Sequence, residues 1–559
     1  MNKKRTVVLL KIFTLIFFFI ESGCPANTMN DTNLKTSNAD TRPSLSGVWV
    51  ADNGDGTYKN PILYADYSDP DVIRVGGDYY MTASSFSSIP GLPILHSTDL
   101  VNWELIGYAL SKYPNDSFDT PQHGKGVWAP SIRYQNDYFY IYWGDPDDGV
   151  YMVRTKNIRG RWEPPVLVLP GRGLIDSCPF WDDDGQAYLV HGWAASRIEV
   201  NSLLTLHKMN SEGTQAEPDG IHIFDGNSGN QTIEGPKMYK RNGYYYILAP
   251  AGGVPTGWQL AMRSKDILGP YEDKVVLEQG STVVNGPHQG GWVQTESGQS
   301  WFLHFQDAEA YGRIVHLQPV TWQDDWPNMG VFNESTSKQE PVLTYEKPDV
   351  SLESPIVTPP ETDEFDGTAI GLQWQWQANP KLTWQAKLAG TDYLRLFPLA
   401  LPAPSKNLWD AGNVLLQKFP APDFTATTKM TFVPKGEGKR SGLVVMGADY
   451  ACLSVTYNDG DYFLSQITCK DADKGRDEKT VDQIKLPGNS VYLRVTVTGP
   501  DAECTFSYSP DGQNYSQLGQ SFTAVPGRWI GAKVGLFCVR TERSKTGGYA
   551  DFDFFRISR

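Results

Sequence analysis

The stretch QTIEGPKMYKRNGYYYILAP, residues 231–250, decides the fold. An acid, Glu234, stands directly before Gly235-Pro236. A short apolar segment, the turn Lys240-Arg241-Asn242-Gly243 and the aromatic run Tyr244-Tyr245-Tyr246 follow it. The order is strand, turn, strand, with a carboxyl group where a propagating strand favours an apolar or β-branched residue. Gly235 suits a close approach of backbone behind the acid, and Pro236 stiffens the turn into the strand.

The same unit recurs. SDPDVIRVGGDYYMTASS starts at Ser68, WAPSIRYQNDYFYIYWG at Trp128 and IDSCPFWDDDGQAYLVHGW at Ile175. IEGPKMYKRNGYYYILAPAGG starts at Ile233 and PHQGGWVQTESGQSWFLHFQD at Pro287. Each copy has a polar or proline-marked start, a short strand, a Gly/Asp/Asn turn and an aromatic strand. A spacing of 47 to 60 residues leaves room for four strands per copy, the content of a propeller blade. Five blades around an axis bring the starts of the innermost strands to one channel: Asp69, the Ala129-Pro130 position, Asp176, Glu234 and His288. Acids often flank turns simply because they cap local backbone donors. Three at equivalent places in a closed array need another reason, since like charges converging on one channel are costly.

The blades end in GRIVHLQPVTW (312–322), and a Pro- and Glu-rich stretch occupies 339–367. Beyond it, alternating segments such as LVVMGADYACLSVTYNDGDYFLSQI (443–467) suggest an antiparallel β-sandwich. The chain thus divides into a leader (1–23), a tether and lead-in (24–57), a five-bladed β-propeller (58–342), a linker (343–360) and a sandwich (361–559). This all-β reading agrees with 559 residues, 12% aromatic content, 53 Gly and 38 Pro. A net charge of −15 argues against a nucleic-acid partner.

Lys3-Lys4-Arg5 before the apolar run Val7–Ile20 reads as an export signal, too short for a membrane span. Ser22-Gly23-Cys24 resembles the end of a bacterial lipoprotein signal, which makes Cys24 the lipidation site. Glu21 departs from that pattern, leaving ordinary secretion or a retained anchor as alternatives. The expectation is an exported protein, periplasmic or held at the outer membrane only by that lipid. The other cysteines, Cys178, Cys452, Cys469, Cys504 and Cys538, read as buried thiols, with a disulfide among the last four as the alternative.

Three carboxyl groups in a channel with aromatic neighbours suit glycoside hydrolysis. One acid protonates the leaving oxygen, one carboxylate activates water, and a third tunes the first. The residues carrying this pattern resemble glycoside hydrolase family 43, whose members are five-bladed propellers. The resemblance runs through NPILYADYSDPDVIRVGGDYYMTASSF (60–86), HGKGVWAPSIRY (123–134), LIDSCPFWDDDGQAYLV (174–190), the Glu234 repeat, GPHQGGWV (286–293) and GRIVHLQPVTW. It implies Asp69 as general base, Glu234 as general acid and Asp176 as the residue that modulates and positions the acid. It implies Trp128 and Phe86 as sugar-pocket walls, Arg313 as a partner of sugar hydroxyls, and His288 on the channel axis near a calcium ion or water. The family's inverting chemistry implies a separation of roughly 6.5–9.5 Å between Asp69 and Glu234, with Glu234 protonated near neutral pH. No cofactor is needed for the chemistry, and any calcium is structural.

The second domain resembles the lectin-like, concanavalin-type sandwich of the β-xylosidase and arabinofuranosidase branch, which can close the pocket with a loop. Residues 539–549 are the candidate loop. Glu364, Asp366 and Asp551 are a candidate calcium site between the sandwich ends, with ordinary capping as the alternative. The expected activity is exo-acting release of terminal α-L-arabinofuranose from plant hemicellulose or pectin side chains. β-D-xylosidase or dual activity is the alternative within the class, and a non-catalytic surface glycan-binding protein the alternative outside it. An endo-arabinanase fits poorly with a closed pocket. A mannoside phosphorylase needs a phosphate-binding basic cluster, which we do not find.

Overall fold

The computed structural model describes residues 45–350, 354–402, 404–541, 544 and 547–559. The leader, Cys24 and the tether as far as residue 44 lie outside the described residues. The only α-helical segment among them is the four-residue Ala195–Ile198; everything else of regular structure is strand or a 3₁₀ turn.

Five four-stranded antiparallel sheets follow one another in sequence order. Their first strands are Asp71–Val75, Trp128–Gln135, Leu174–Trp181, Lys237–Arg241 and His288–Gln294, here blades I to V. These first strands meet around the axis. Arg133 of blade II donates to Asp71 of blade I at 2.6 Å and to the Cys178 sulfur of blade III at 2.9 Å. Lys237 of blade IV donates to the Ser131 hydroxyl of blade II at 2.7 Å. Blade V closes on blade I at Gly291, where an added Cβ would lie 2.7 Å from Asp71 Oδ1 and 2.8 Å from Val72 N. Only a residue without a side chain allows that contact.

The aromatic and aliphatic runs of the repeats do the packing. Each junction between neighbouring blades has its own buried cluster. Leu95, Leu303 and Val315 lie between V and I, and Ile94, Ile132 and Val153 between I and II. Tyr142, Met152 and Leu189 join II to III, Leu206, Met238 and Leu260 join III to IV, and Leu248, Phe302 and Val320 join IV to V. Each large apolar side chain so buried contributes about 1.5–3 kcal/mol.

Two eight-stranded sheets form the sandwich. Phe424–Pro434 and Ser490–Thr498 bury every second residue, as one packed face requires. Phe424, Leu453, Leu493, Val495 and Phe552 fill the space between the sheets, and the same cluster takes in Tyr311 and Ile314 of blade V. The seam is also hydrogen-bonded. Ile89 and Trp376 exchange both backbone bonds, at 3.0 and 2.6 Å, and Ala532 N–H donates to the Ala310 carbonyl at 2.7 Å.

One expectation changes here and one holds. The candidate calcium carboxylates are committed elsewhere: Arg556 grips Glu364 at 2.7 and 2.8 Å, and Arg395 grips Asp551 at 2.7 and 2.8 Å. Forked guanidinium pairs satisfy both carboxylates, so Glu364, Asp366 and Asp551 do not form a shared oxygen cage. The five described cysteines are buried and free, with no disulfide among them.

Candidate active site

The mouth of every blade bends through a left-handed residue: Asp69, Ala129, Asp176, Gly235 and Gln289 have φ of 53°, 35°, 59°, 61° and 41°. This corrects the alignment of the repeats. Asp69 and Asp176 occupy the bend itself. In blade IV Gly235 takes the bend, and Glu234 stands one residue before it, in the place of Trp128 and His288. Glycine reaches positive φ without the cost of roughly 1–2 kcal/mol that other L-residues meet there. A Cβ on Gly235 would also lie 2.7 Å from Gln289 Cδ. Four non-glycine residues held in this conformation at one rim fit a site whose geometry the fold over-determines.

The three carboxyl groups line one pocket of about 310 Å³ together with Phe86, Trp128, Gln289, Arg313 and Trp529. Their surroundings differ. Asp69 is buried, accepts from the Ser84 hydroxyl at 2.5 Å and forms an ion pair with Arg313 at 2.9 Å. Ser84 is itself held by the Ala129 N–H at 2.7 Å. Arg313, expected to meet sugar hydroxyls, therefore spends one nitrogen on Asp69. Glu234 is the only one of the three with substantial exposure, its side chain 29% accessible, and its Oε1 lies 3.1 Å from His288 Nε2.

Asp176 is buried and accepts the Gly235 N–H at 2.8 Å, so it fixes the peptide next to Glu234. Burial first, and then the charges of Glu234 and Asp69, push its carboxyl well above the ordinary value of 3.8. In the folded chain it keeps its proton at a pH where the unfolded chain has lost it, so its contribution to stability falls as pH rises above about 4. Asp176→Asn should therefore melt at higher temperature than wild type at pH 7, and this gain should vanish below about pH 4. Melting curves across that range test it; a gain equal at both ends contradicts the assignment.

His288 is fully buried, and its Nδ1 has no hydrogen-bond partner. The family resemblance places a calcium ion or water near it, and calcium takes six to eight oxygen donors, waters among them. Here Glu234 is its bonded neighbour, and among the described residues no three His, Cys, Asp or Glu side chains converge on a point that could hold a metal ion.

The aromatic wall is partly as expected. Phe86 and Trp128 pack edge to face, with ring centroids 6.2 Å apart. The third member comes from the sandwich, but not from 539–549. Trp529, in the loop VPGRWIGA (525–532), packs edge-on against Trp128 at 5.9 Å and is 47% exposed. Of the expected loop 539–549, Val539 and Arg540 end the strand Lys533–Arg540 and Gly548 and Tyr549 begin Gly548–Ser558, and Glu542, Arg543, Lys545 and Thr546 lie outside the described residues. The clue to Trp529 was a lone Trp in a Pro/Gly turn, which nothing local distinguishes from a surface residue. Gln289 was also missed: it is buried, lines the pocket, and its Nε2 has no partner.

The profile of glycosyl hydrolases family 43 matches residues 58–327, and that of the β-xylosidase C-terminal concanavalin A-like domain matches 362–558. A protein of Xylanibacter ruminicola, named a candidate β-xylosidase, is 38% identical over 92% of both chains. The chain belongs to glycosyl hydrolase family 43. This family 43 protein is also 31% identical, over 91% of its length and 97% of the other's, to the non-reducing end α-L-arabinofuranosidase BoGH43B of Bacteroides ovatus. The solved Bacteroides ovatus GH43B of a xyloglucan locus superposes with a TM-score of 0.76 at 27% identity, covering 90% of this chain and 99% of that one. The present chain is a glycosidase acting on polysaccharide or oligosaccharide substrates, chemistry that needs carboxyl groups and water but no cofactor.

Proposed function

We propose that this enzyme is an exo-acting, inverting pentosidase that removes one terminal α-L-arabinofuranosyl or β-D-xylosyl unit from plant hemicellulose or pectin side chains. The observation that carries this reading is a single small pocket. It gathers one carboxylate clamped by a cation, one carboxyl left accessible and one buried between them, under an aromatic wall completed by a second domain. At about 310 Å³ it lies at the small end of ligand pockets, which favours a single sugar over a through-running chain.

In this reading, water between Asp69 and the anomeric carbon loses a proton to Asp69 as its oxygen attacks. The glycosidic C–O bond breaks as Glu234 gives its proton to the leaving oxygen, and the configuration inverts. Arg313 and Ser84 hold the base in line. Asp176, through Gly235 N–H, holds the acid. Trp128, Phe86 and Trp529 cover the apolar face of the ring, and Gln289 offers a free donor to its hydroxyls.

The two pentoses present closely similar hydroxyl patterns. The segments SSFSSIPGLPILHSTDLVNW (84–103) and PHQGGW (287–292) resemble those of the family's arabinofuranosidases, and this resemblance, with the likeness to BoGH43B, favours arabinofuranose. The name of the 38% identical relative favours xylose. Aryl α-L-arabinofuranoside and aryl β-D-xyloside, followed for rate and for the anomer first released, test the reading. Turnover of either with inverted product supports it. Binding without turnover makes the protein a glycan-binding one, and retained product overturns the mechanism.

We also propose that the leader exports the chain and that Cys24 anchors it by lipid. Cys24→Ser should move the protein from the membrane fraction to the soluble one; unchanged partitioning contradicts the anchor.

A further inference from the structure

Asp66 has no part in the chemistry above, yet three segments of the site converge on it. It is buried, 3% exposed. Its Oδ1 accepts from the Ser68 hydroxyl at 2.8 Å and from Arg313 N–H at 3.0 Å; its Oδ2 accepts from Gly531 N–H at 3.0 Å. Ser68 immediately precedes Asp69, and Arg313 is the ion-pair partner of Asp69. Gly531 lies two residues after Trp529, on the sandwich. One carboxylate thus bonds the loop carrying the base, the strand carrying the base's cation and the loop carrying the outer aromatic wall.

The surroundings leave little room for an alternative. A Cβ on Gly312 would lie 2.5 Å from Asp66 Cγ, and one on Gly531 would lie 2.6 Å from Gly312 N. Both glycines let the two domains close on the carboxylate. Two lysines lie in the same seam, Lys533 buried and Lys418 half-buried. Lys418 packs over the Tyr67 ring at 5.2 Å, and Lys533 donates to Ser88 Oγ at 2.7 Å, two residues from Phe86. Burial, then repulsion from Lys418, pushes the Lys533 ammonium down to about 7, while Asp66 acts the other way.

We infer that Asp66 is a positioning residue that locks the sandwich loop 526–532, and with it Trp529, to the propeller rim at Ser68 and Arg313, so that one carboxylate sets the outer wall of the pocket. This rests on the reading that the pocket holds a terminal pentosyl unit.

Two variants of the full chain attack the joint from opposite sides. Asp66→Asn keeps the shape but presents either an N–H to the Gly531 N–H or one to the Ser68 and Arg313 donors. Gly531→Ala wedges the loop against the backbone of Tyr311 and Gly312. Each should raise KM for the aryl pentoside roughly 10-fold with kcat changed less than about threefold. Combining them should add nothing, and neither should change KM when Trp529 is already Ala. An unchanged KM, or the same increase in the Trp529→Ala background, overturns the inference. If Asp66→Asn does not fold, the Gly531→Ala cycle decides alone.

A second measurement does not depend on turnover. Amide hydrogen exchange in 526–532 should speed up in both variants while the sandwich strands keep wild-type protection; exchange unchanged in that loop also overturns it. A wild-type protein inactive on every pentoside would defeat the functional reading instead, and the exchange result would still judge the joint.

Discussion

Asp69→Asn should abolish hydrolysis of good and poor substrates alike, lowering kcat/KM by roughly 10³–10⁴-fold. The side chain keeps its shape, its left-handed backbone and an oxygen for Ser84 or Arg313, but it can no longer take a proton from water. The loss should not depend on the leaving group, because attack on the anomeric carbon needs the base whatever departs. The fold should survive, since Arg313 keeps its own bond to Asp66 through the backbone. Steady-state rates on a natural oligosaccharide and on a dinitrophenyl glycoside, beside a melting curve, check this. A variant that loses the oligosaccharide but keeps the activated glycoside would assign Asp69 to the leaving-group side and overturn its role.

Glu234→Ala should show that leaving-group dependence. A natural glycoside departs as a poorly stabilised alkoxide and needs its proton, so its turnover should fall roughly 10³-fold. A dinitrophenolate leaves without help, so that substrate should lose about 10-fold or less. Glu234→Gln keeps the contact with His288 and separates loss of the proton from loss of packing; both variants should show the same dependence. Equal losses on the two substrates would count against Glu234 as the acid. Its accessibility, against the burial of Asp69 and Asp176, is the structural reason for the assignment: the leaving group departs toward solvent.

Fold and acids were legible because both are periodic. Five copies of strand, turn and aromatic strand are a signal no single segment carries, and the acids stand at their starts. The one-residue offset of Glu234 was not legible, because it depends on which residue takes positive φ, and an Asp or a Gly can each do so. Trp529 and Asp66 were hidden for a different reason. Their partners are hundreds of positions away, and neither YADYSDPD nor VPGRWIGA has a local pattern that calls for the other. The misassigned calcium ligands mark the converse limit. Carboxylates close in sequence or at two ends of a sheet look like a cage until their arginines, Arg395 and Arg556, are placed.

The ring of left-handed bends has a consequence for how such a molecule changes over generations. Each blade presents two adjacent sockets at the rim, the bend and the residue before it, and the backbone there is the same whatever side chain fills them. On the proposed mechanism blade I puts a base at the bend, blade III a buried acid at the bend and blade IV a proton donor just before it, while blades II and V supply a wall and a support. A mutation in one socket alters the chemistry without disturbing the five apolar junctions that hold the ring together. Catalysis and folding are inherited on separate residues, so a new sugar preference can be tried one blade at a time.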